Sequence, residues 1–183
     1  VNTPDGDACD YAVFLRGVNV AGAPMRMADV RRELAVLPVT NVRTLLASGN
    51  VVLQSTLRAA ALKFQVEECL AAAFGYDAWV VVVDRERLGQ LIDAWPYSAD
   101  DAGMQSYATL FSDAEALLAW VAEAEAAGAD AVVLGADAVA WQAPVGGTLD
   151  SAAGRLALGH KYKPVCTTRN LRTLQKVRAS FES

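Results

Sequence analysis

Asparagine stands in three short clusters along the chain, with arginine in two of them. Arg16 and Asn19 stand in Phe14-Leu15-Arg16-Gly17-Val18-Asn19-Val20, Ser48 and Asn50 in Ser48-Gly49-Asn50-Val51-Val52, and Thr168, Arg169 and Asn170 in Thr167-Thr168-Arg169-Asn170. A guanidinium is planar, permanently charged and forked, so Arg16 at the end of an apolar run is suited to hold a phosphate or carboxylate. If a helix begins near Thr168, its unpaired N–H groups and partial positive charge add to the charge of Arg169, and the triplet reads as an anion site. Each group also has a structural reading. Gly17 can make a bulge in which Arg16 and Asn19 bond neighbouring backbone, Ser48-Gly49-Asn50 suits a hairpin turn, and Thr168 can be a cap with Arg169 paired to a carboxylate. The seven residues are the candidate ligand-binding set, expected to converge on one small anionic ligand.

Signatures of catalysis are sparse. The chain holds one histidine, His160, and has no metal-ligand spacing, no Gly-x-Ser-x-Gly and no glycine-rich phosphate loop, so no catalytic residue, metal or cofactor is assigned. Three cysteines (Cys9, Cys69, Cys166) at wide spacings fit neither a disulfide framework nor a zinc knuckle. Cys166, close to Arg169, could have a lowered pKa at a helix start, but a buried free thiol is the simpler expectation. Asp100-Asp101 has no second acidic pair at a defined spacing and reads as solvated.

The elements that must position these residues follow from periodicity. Tyr11 to Asn19 reads as a strand; Met27, Val30, Leu34 and Leu37 recur at helical spacing before Pro38; Val42–Ala47 and Val51–Gln54 flank the Ser48-Gly49-Asn50 turn; Leu57–Phe74 is helical up to Gly75; and Trp79–Val83 is a strand. The order is βαββαβ, a ferredoxin-like arrangement with both helices on one face of an antiparallel sheet. Beyond it, Arg85–Trp95 predicts a short helix, Gln105–Phe111 a strand, and Ser112 with Glu115 a capping box for a helix through Ala127. Ala131–Leu134 and Val139–Gln142 follow as strands, then a last helix from about Thr168. The expected fold class is α+β, a ferredoxin-like first half packed with a second, smaller α+β half. The expected divisions are a flexible segment over residues 1–10, a subdomain over 11–84 and another over 85–183. No tandem sequence repeat links the halves, so any duplication would lie at the level of the fold.

Charge bears on partners. The 183 residues carry a net charge of −5, but residues 1–150 hold nine basic and 20 acidic side chains, whereas residues 151–183 hold seven basic residues against Glu182 alone. The basic segment could attract phosphates, or neutralise the acidic remainder of its own fold. Hydrophobic residues make up 54% of the chain, 35 of them alanine, and apolar stretches such as Trp79–Val83 fall far below the ~18 residues a spanning helix needs. No membrane partner is expected, and the acidic, polar start is unlike a signal peptide, so a cytoplasmic location is expected. The βαββαβ order also occurs in an RNA-recognition module, which needs stacking aromatics on central strands. Asn50–Gln54 has none, and Tyr11 and Phe14 alternate to opposite faces, so nucleic acid is not the favoured partner. The alternative to a small anionic ligand is a nucleic-acid or protein-binding module using the basic C-terminal segment.

The three motifs in order, Leu15-Arg16-Gly17-Val18-Asn19-Val20, Asn41-Val42-Arg43-Thr44 through Ser48-Gly49-Asn50-Val51-Val52, and Thr167-Thr168-Arg169-Asn170, resemble those of the bacterial domain-of-unknown-function family 1697. The likeness runs from residue 11 to about 178. Departures are Leu45-Leu46-Ala47 for a run that usually contains an aromatic, Leu171-Arg172 for Trp-Asn, and Trp95-Pro96-Tyr97 for the common Asn-Pro-Phe. The resemblance implies an α+β fold with a ferredoxin-like first half and no established activity.

Overall fold

A computed structural model describes residues 7–17, 25–75, 77–98 and 103–182. Asn19 and the Asp100-Asp101 pair lie outside the described residues. The chain divides into two compact units, Val1–Leu88 with Val177–Ser183, and Gly89–Lys176.

The first unit contains strand β1 (Cys9–Leu15), helix α1 (Met27–Leu34), strands β2 (Val39–Leu45) and β3 (Asn50–Ser55), helix α2 (Ala59–Phe74) and strand β4 (Val80–Asp84). Its sheet runs β2-β3-β1-β4 with every neighbouring pair antiparallel. This is the strand order of the split βαβ arrangement expected from the periodicity. Strand alternation turns Tyr11, Val13, Leu15, Val51 and Leu53 toward Val30 and Leu34 of α1 and Leu62, Val66 and Leu70 of α2, so both helices cover one face. Gly75 ends α2 at φ 67°, where its N–H donates to the carbonyl of Ala71. Edge strand β4 is tied to α2: the Glu67 carboxylate accepts from the Val80 N–H at 2.8 Å and also pairs with Lys63 one turn earlier.

Helix α3 (Arg85–Asp93) follows β4 directly. Next come β5 (Met104–Phe111), α4 (Ala114–Ala126), β6 (Ala131–Val133), β7 (Ala138–Pro144), α5 (Ala152–Leu158), a 3-10 turn (His160–Tyr162), β8 (Cys166–Asn170) and α6 (Leu171–Ser180). The second sheet runs β6-β7-β5-β8, again antiparallel throughout. Three expectations are corrected. Asp113, not Ser112, caps α4, its carboxylate accepting from the Ala116 N–H at 2.7 Å, because the Ser112 N–H and hydroxyl are turned to the Val165 carbonyl. Helix α5 and strand β8 were absent from the periodicity reading: α5 has only seven residues, and the Thr-Thr-Arg-Asn end of β8 shows no apolar alternation. The last helix starts at Leu171 rather than near Thr168.

With α5 and β8 in place, the second half is itself βαββαβ followed by a helix, and its strand order reproduces that of the first. The likeness extends to single bonds. Leu15 N–H donates to the Gly49 carbonyl and Phe111 N–H to the Asp137 carbonyl, both at 2.8 Å. Arg16 N–H reaches Trp79 and Ser112 N–H reaches Val165, again at 2.8 Å. Tyr11 lies opposite Asp84, and Tyr107 opposite Asn170. Both Asp84 and Asn170 cap the helix that follows, each accepting at 2.8 Å from the backbone N–H three residues on.

One position in the second unit admits no side chain. A Cβ on Gly154, buried in α5, would stand 1.9 Å from the Thr148 carbonyl oxygen and 2.8 Å from Ser151 Oγ, the atom that caps this helix by accepting from the Gly154 N–H. Gly154→Ala is expected to destabilise the protein by about 1–3 kcal/mol through overpacking. Gly89→Ala in α3, where nothing lies within 4 Å, should be neutral or raise stability by up to ~1 kcal/mol. Urea unfolding of the two variants beside the parent checks both.

Candidate functional site

Within the first unit, Leu15 and Arg16 of the first motif lie beside the Ser48-Gly49-Asn50 turn of the second, at one end of the sheet. Asn50 is buried, and its Nδ2 donates to the Leu45 carbonyl and to Ser48 Oγ, each at 3.0 Å. This side chain closes a loop in which Leu46 and Gly49 both adopt positive φ, 59° and 77°. Because the Gly49 carbonyl accepts from Leu15, the turn lies beside the residue that precedes Arg16. Arg16 is half-buried, and Gly17 after it has φ 77°.

Thr168, Arg169 and Asn170 belong to the second unit. They occupy β8, paired with Thr109, Ala108 and Tyr107. Arg169 Nη1 donates to Thr167 Oγ1 at 2.8 Å and to the Thr168 carbonyl at 2.9 Å, and the Thr168 hydroxyl lies 3.0 Å from that of Thr109. The Thr109 hydroxyl also accepts from the indole N–H of buried Trp141 at 2.9 Å. Asn170, not Thr168, caps α6, so Arg169 stands on a strand rather than in the first turn of a helix. Pairing with β5 carries the extended backbone on through Asn170, which displaces the expected helix start by about three residues.

A second polar constellation in the first unit escaped the sequence reading. Between Thr40 and Arg43 strand β2 bulges, so that Asn41 and Val42 stand against Leu53 alone, and Asn41 takes φ 53°. Asparagine adopts that left-handed conformation more readily than most residues. Asn41 Nδ2 donates to Gln54 Oε1 at 2.6 Å, Gln54 Nε2 to Asp10 Oδ1 at 2.9 Å, and Arg85 Nη1 to Asp10 Oδ2 at 3.2 Å. The Arg85 guanidinium also lies 5.8 Å from the centre of the Phe181 ring. This chain of side chains borders a groove of about 980 Å³ lined by Arg31, Arg32, Arg43 and Arg85, with Asp10 its one carboxylate. Arg32 shares its charge with Asp29 and Glu33. The motif end and this groove are distinct places: Asn50 and Gln54 are four residues apart on β3, roughly 13 Å at ~3.3 Å per residue, and Arg16 is not among the groove's lining residues.

Other candidate chemistry falls into structural roles. Cys166 is buried near the Ala157 carbonyl, in keeping with an inert small hydrophobe. Burial, with nearby Glu33 adding to it, raises the pKa of the Cys69 thiol, which donates to the Glu33 carbonyl at 3.3 Å. Lys161 of the basic segment pairs with Glu123, and that hydrogen bond holds the Glu123 carboxyl below the usual range, so part of the C-terminal charge is met within the fold. Among the described residues there is no group of three His, Cys, Asp or Glu side chains placed to hold a metal, and no helix is long and apolar enough to cross a membrane.

A sequence-family model described as protein of unknown function (DUF1697) matches residues 9–139. The chain belongs to that family. The matched span covers β1 through the start of β7, and so contains the whole of the groove's β1, β2 and β3 and the first two motifs. No curated protein matches the chain. Among solved structures, the conserved bacterial protein SP0830 from Streptococcus pneumoniae is similar, with 20% identity, a TM-score of 0.78 and coverage of 94% of this chain and 98% of that one. That likeness is one of fold.

For this DUF1697 chain, the buried amide of Asn50 has a checkable structural role. Asn50→Ala leaves the Leu45 carbonyl without this donor and is expected to lower unfolding stability by about 1–3 kcal/mol. Ser48→Ala, at an exposed position, should cost less than half as much. Thermal unfolding of the two variants measures the difference.

Proposed function

We propose that this DUF1697 chain binds a small anionic ligand, bearing phosphate or carboxylate, in the arginine-lined groove of its first unit. One observation carries the reading: four guanidinium groups and a single carboxylate line one groove of about 980 Å³ in a chain whose net charge is −5. A local concentration of positive charge on an otherwise acidic protein raises the concentration of small anions at that place, while the surrounding field opposes a long polyanion. Asp10 offsets the charge of Arg85, and Asp29 with Glu33 that of Arg32, while Arg31 and Arg43 are the groove's other two guanidinium groups. The groove also has the volume of a small-molecule site. In this reading Ser48 and Asn50 act through position: their turn sets the register that puts Arg43 opposite Val52.

Calorimetric titration with inorganic phosphate at low ionic strength tests the proposal. Saturable binding is expected, weakened about tenfold or more by Arg43→Ala, the scale of one charge-assisted hydrogen bond. Arg172→Ala on α6, outside the groove's lining, should leave it unchanged. If phosphate does not bind while a single-stranded oligonucleotide does, with binding lost in Lys176→Ala and falling steeply with salt, the function belongs to the basic C-terminal segment instead.

A further inference from the structure

We infer that the groove's ligand is a hydroxyl-bearing phosphate, a sugar phosphate by chemical class; this rests on the anion-binding reading and goes beyond it. An inorganic anion needs only the arginines. The groove's remaining polar side chains include Asn41, Gln54 and Asp10, which are hydrogen-bonded to one another in a chain. Gln54 has both ends of its amide committed, Oε1 accepting from Asn41 and Nε2 donating to Asp10. That polarity spends one of the two Asn41 N–H bonds on Gln54 and keeps acceptor capacity on Asn41 Oδ1. Asp10 receives one bond on each oxygen and keeps lone pairs on both.

The groove therefore combines arginine donors with a patch of acceptors. Phosphate oxygens are acceptors themselves and are repelled by that patch, so an anion alone leaves it unmet. An ammonium group could donate to the acceptors, but Arg85 already balances Asp10, and the added cation would face the neighbouring arginines. A neutral hydroxyl donates to Asn41 Oδ1 or Asp10 without that repulsion. A molecule with its phosphate on the arginines and hydroxyls on the Asn41–Gln54–Asp10 chain satisfies both parts of the site. The β2 bulge is what puts the two parts side by side, because it turns Asn41 across to Gln54 just ahead of Arg43.

Titrations with inorganic phosphate, ribose 5-phosphate and ribose, on the parent chain and three variants, test this. Ribose 5-phosphate is expected to bind about tenfold more tightly than phosphate, the scale of one or two neutral hydrogen bonds, with ribose alone much weaker than either. Asn41→Gly keeps the positive φ while removing the amide, and should erase most of that advantage. Asp10→Asn, which leaves the β1 backbone untouched, should reduce the advantage in the same direction, whereas Arg43→Ala should weaken both phosphates in parallel. Equal affinity for the two phosphates, or an advantage that persists in both Asn41→Gly and Asp10→Asn, overturns the sugar-phosphate assignment and leaves the anion reading standing. Failure of both phosphates to bind the parent overturns both readings.

Discussion

Each unit depends on one constraint, a central strand hydrogen-bonded on both sides. β1 pairs with β3 and β4, and β5 with β7 and β8. A strand held from both sides cannot slip by one residue without turning its core side chains outward on the whole ladder. For β1 such a slip would carry Tyr11, Val13 and Leu15 away from α1 and α2 and turn Asp10 toward them. The register that prevents this also places Asp10 opposite Gln54, and Tyr11 opposite the helix cap Asp84. Core packing and the pairing of Asp10 with Gln54 are thus two consequences of one alignment.

The same alignment, made twice, accounts for the chain's organisation. Tyr11 and Tyr107 occupy matching places opposite the caps Asp84 and Asn170. On the neighbouring strands, Gln54 donates to Asp10 at 2.9 Å and Gln142 to Ser106 Oγ at 3.0 Å, with the two pairs in equivalent register. The frame is shared and the chemistry is not. Where the first unit has Asp10 and Arg85, the second has Ser106 and Leu171, and where the first has a bulged second strand, β6 is only three residues long and pairs in regular register. A duplicated backbone pattern that carries charge at these two positions in one copy alone gives the first unit its Asp10–Arg85 pair. The Gln142–Ser106 pair of the second unit sits beside a stacked Tyr107–Trp141 pair, with ring centres 4.6 Å apart.

Much of this was legible in the chain because it rests on local patterns. Continuous apolar runs mark β1 and β3, helical spacing marks α1 and α2, and Gly49 and Gly75 mark a turn and a helix end through the positive φ each adopts. The second half was harder to read where elements are short or polar. Helix α5 is a single capped piece of seven residues, and β8 is extended only because β5 supplies its partner groups. Thr-Thr-Arg-Asn has a good cap within it, and local chemistry alone does not say whether Thr168 or Asn170 takes that role.

The candidate groove divides along the same line. The arginines and their permanent charge are properties of the residues themselves, and so is the acidity of the remainder; both are set by composition and survive any fold. Which arginines share a surface is decided by tertiary structure. Asp10, Asn41, Gln54 and Arg85 are separated by up to 75 positions, and nothing in their spacing relates them. They meet because antiparallel pairing fixes the cross-strand neighbour of each β1 residue, and because one extra residue in β2 turns Asn41 toward Gln54. Local sequence determines conformations that a few neighbouring residues can enforce by sterics and hydrogen bonding. A site assembled across three strands and a helix start requires the long-range register, which exists only once the core has closed.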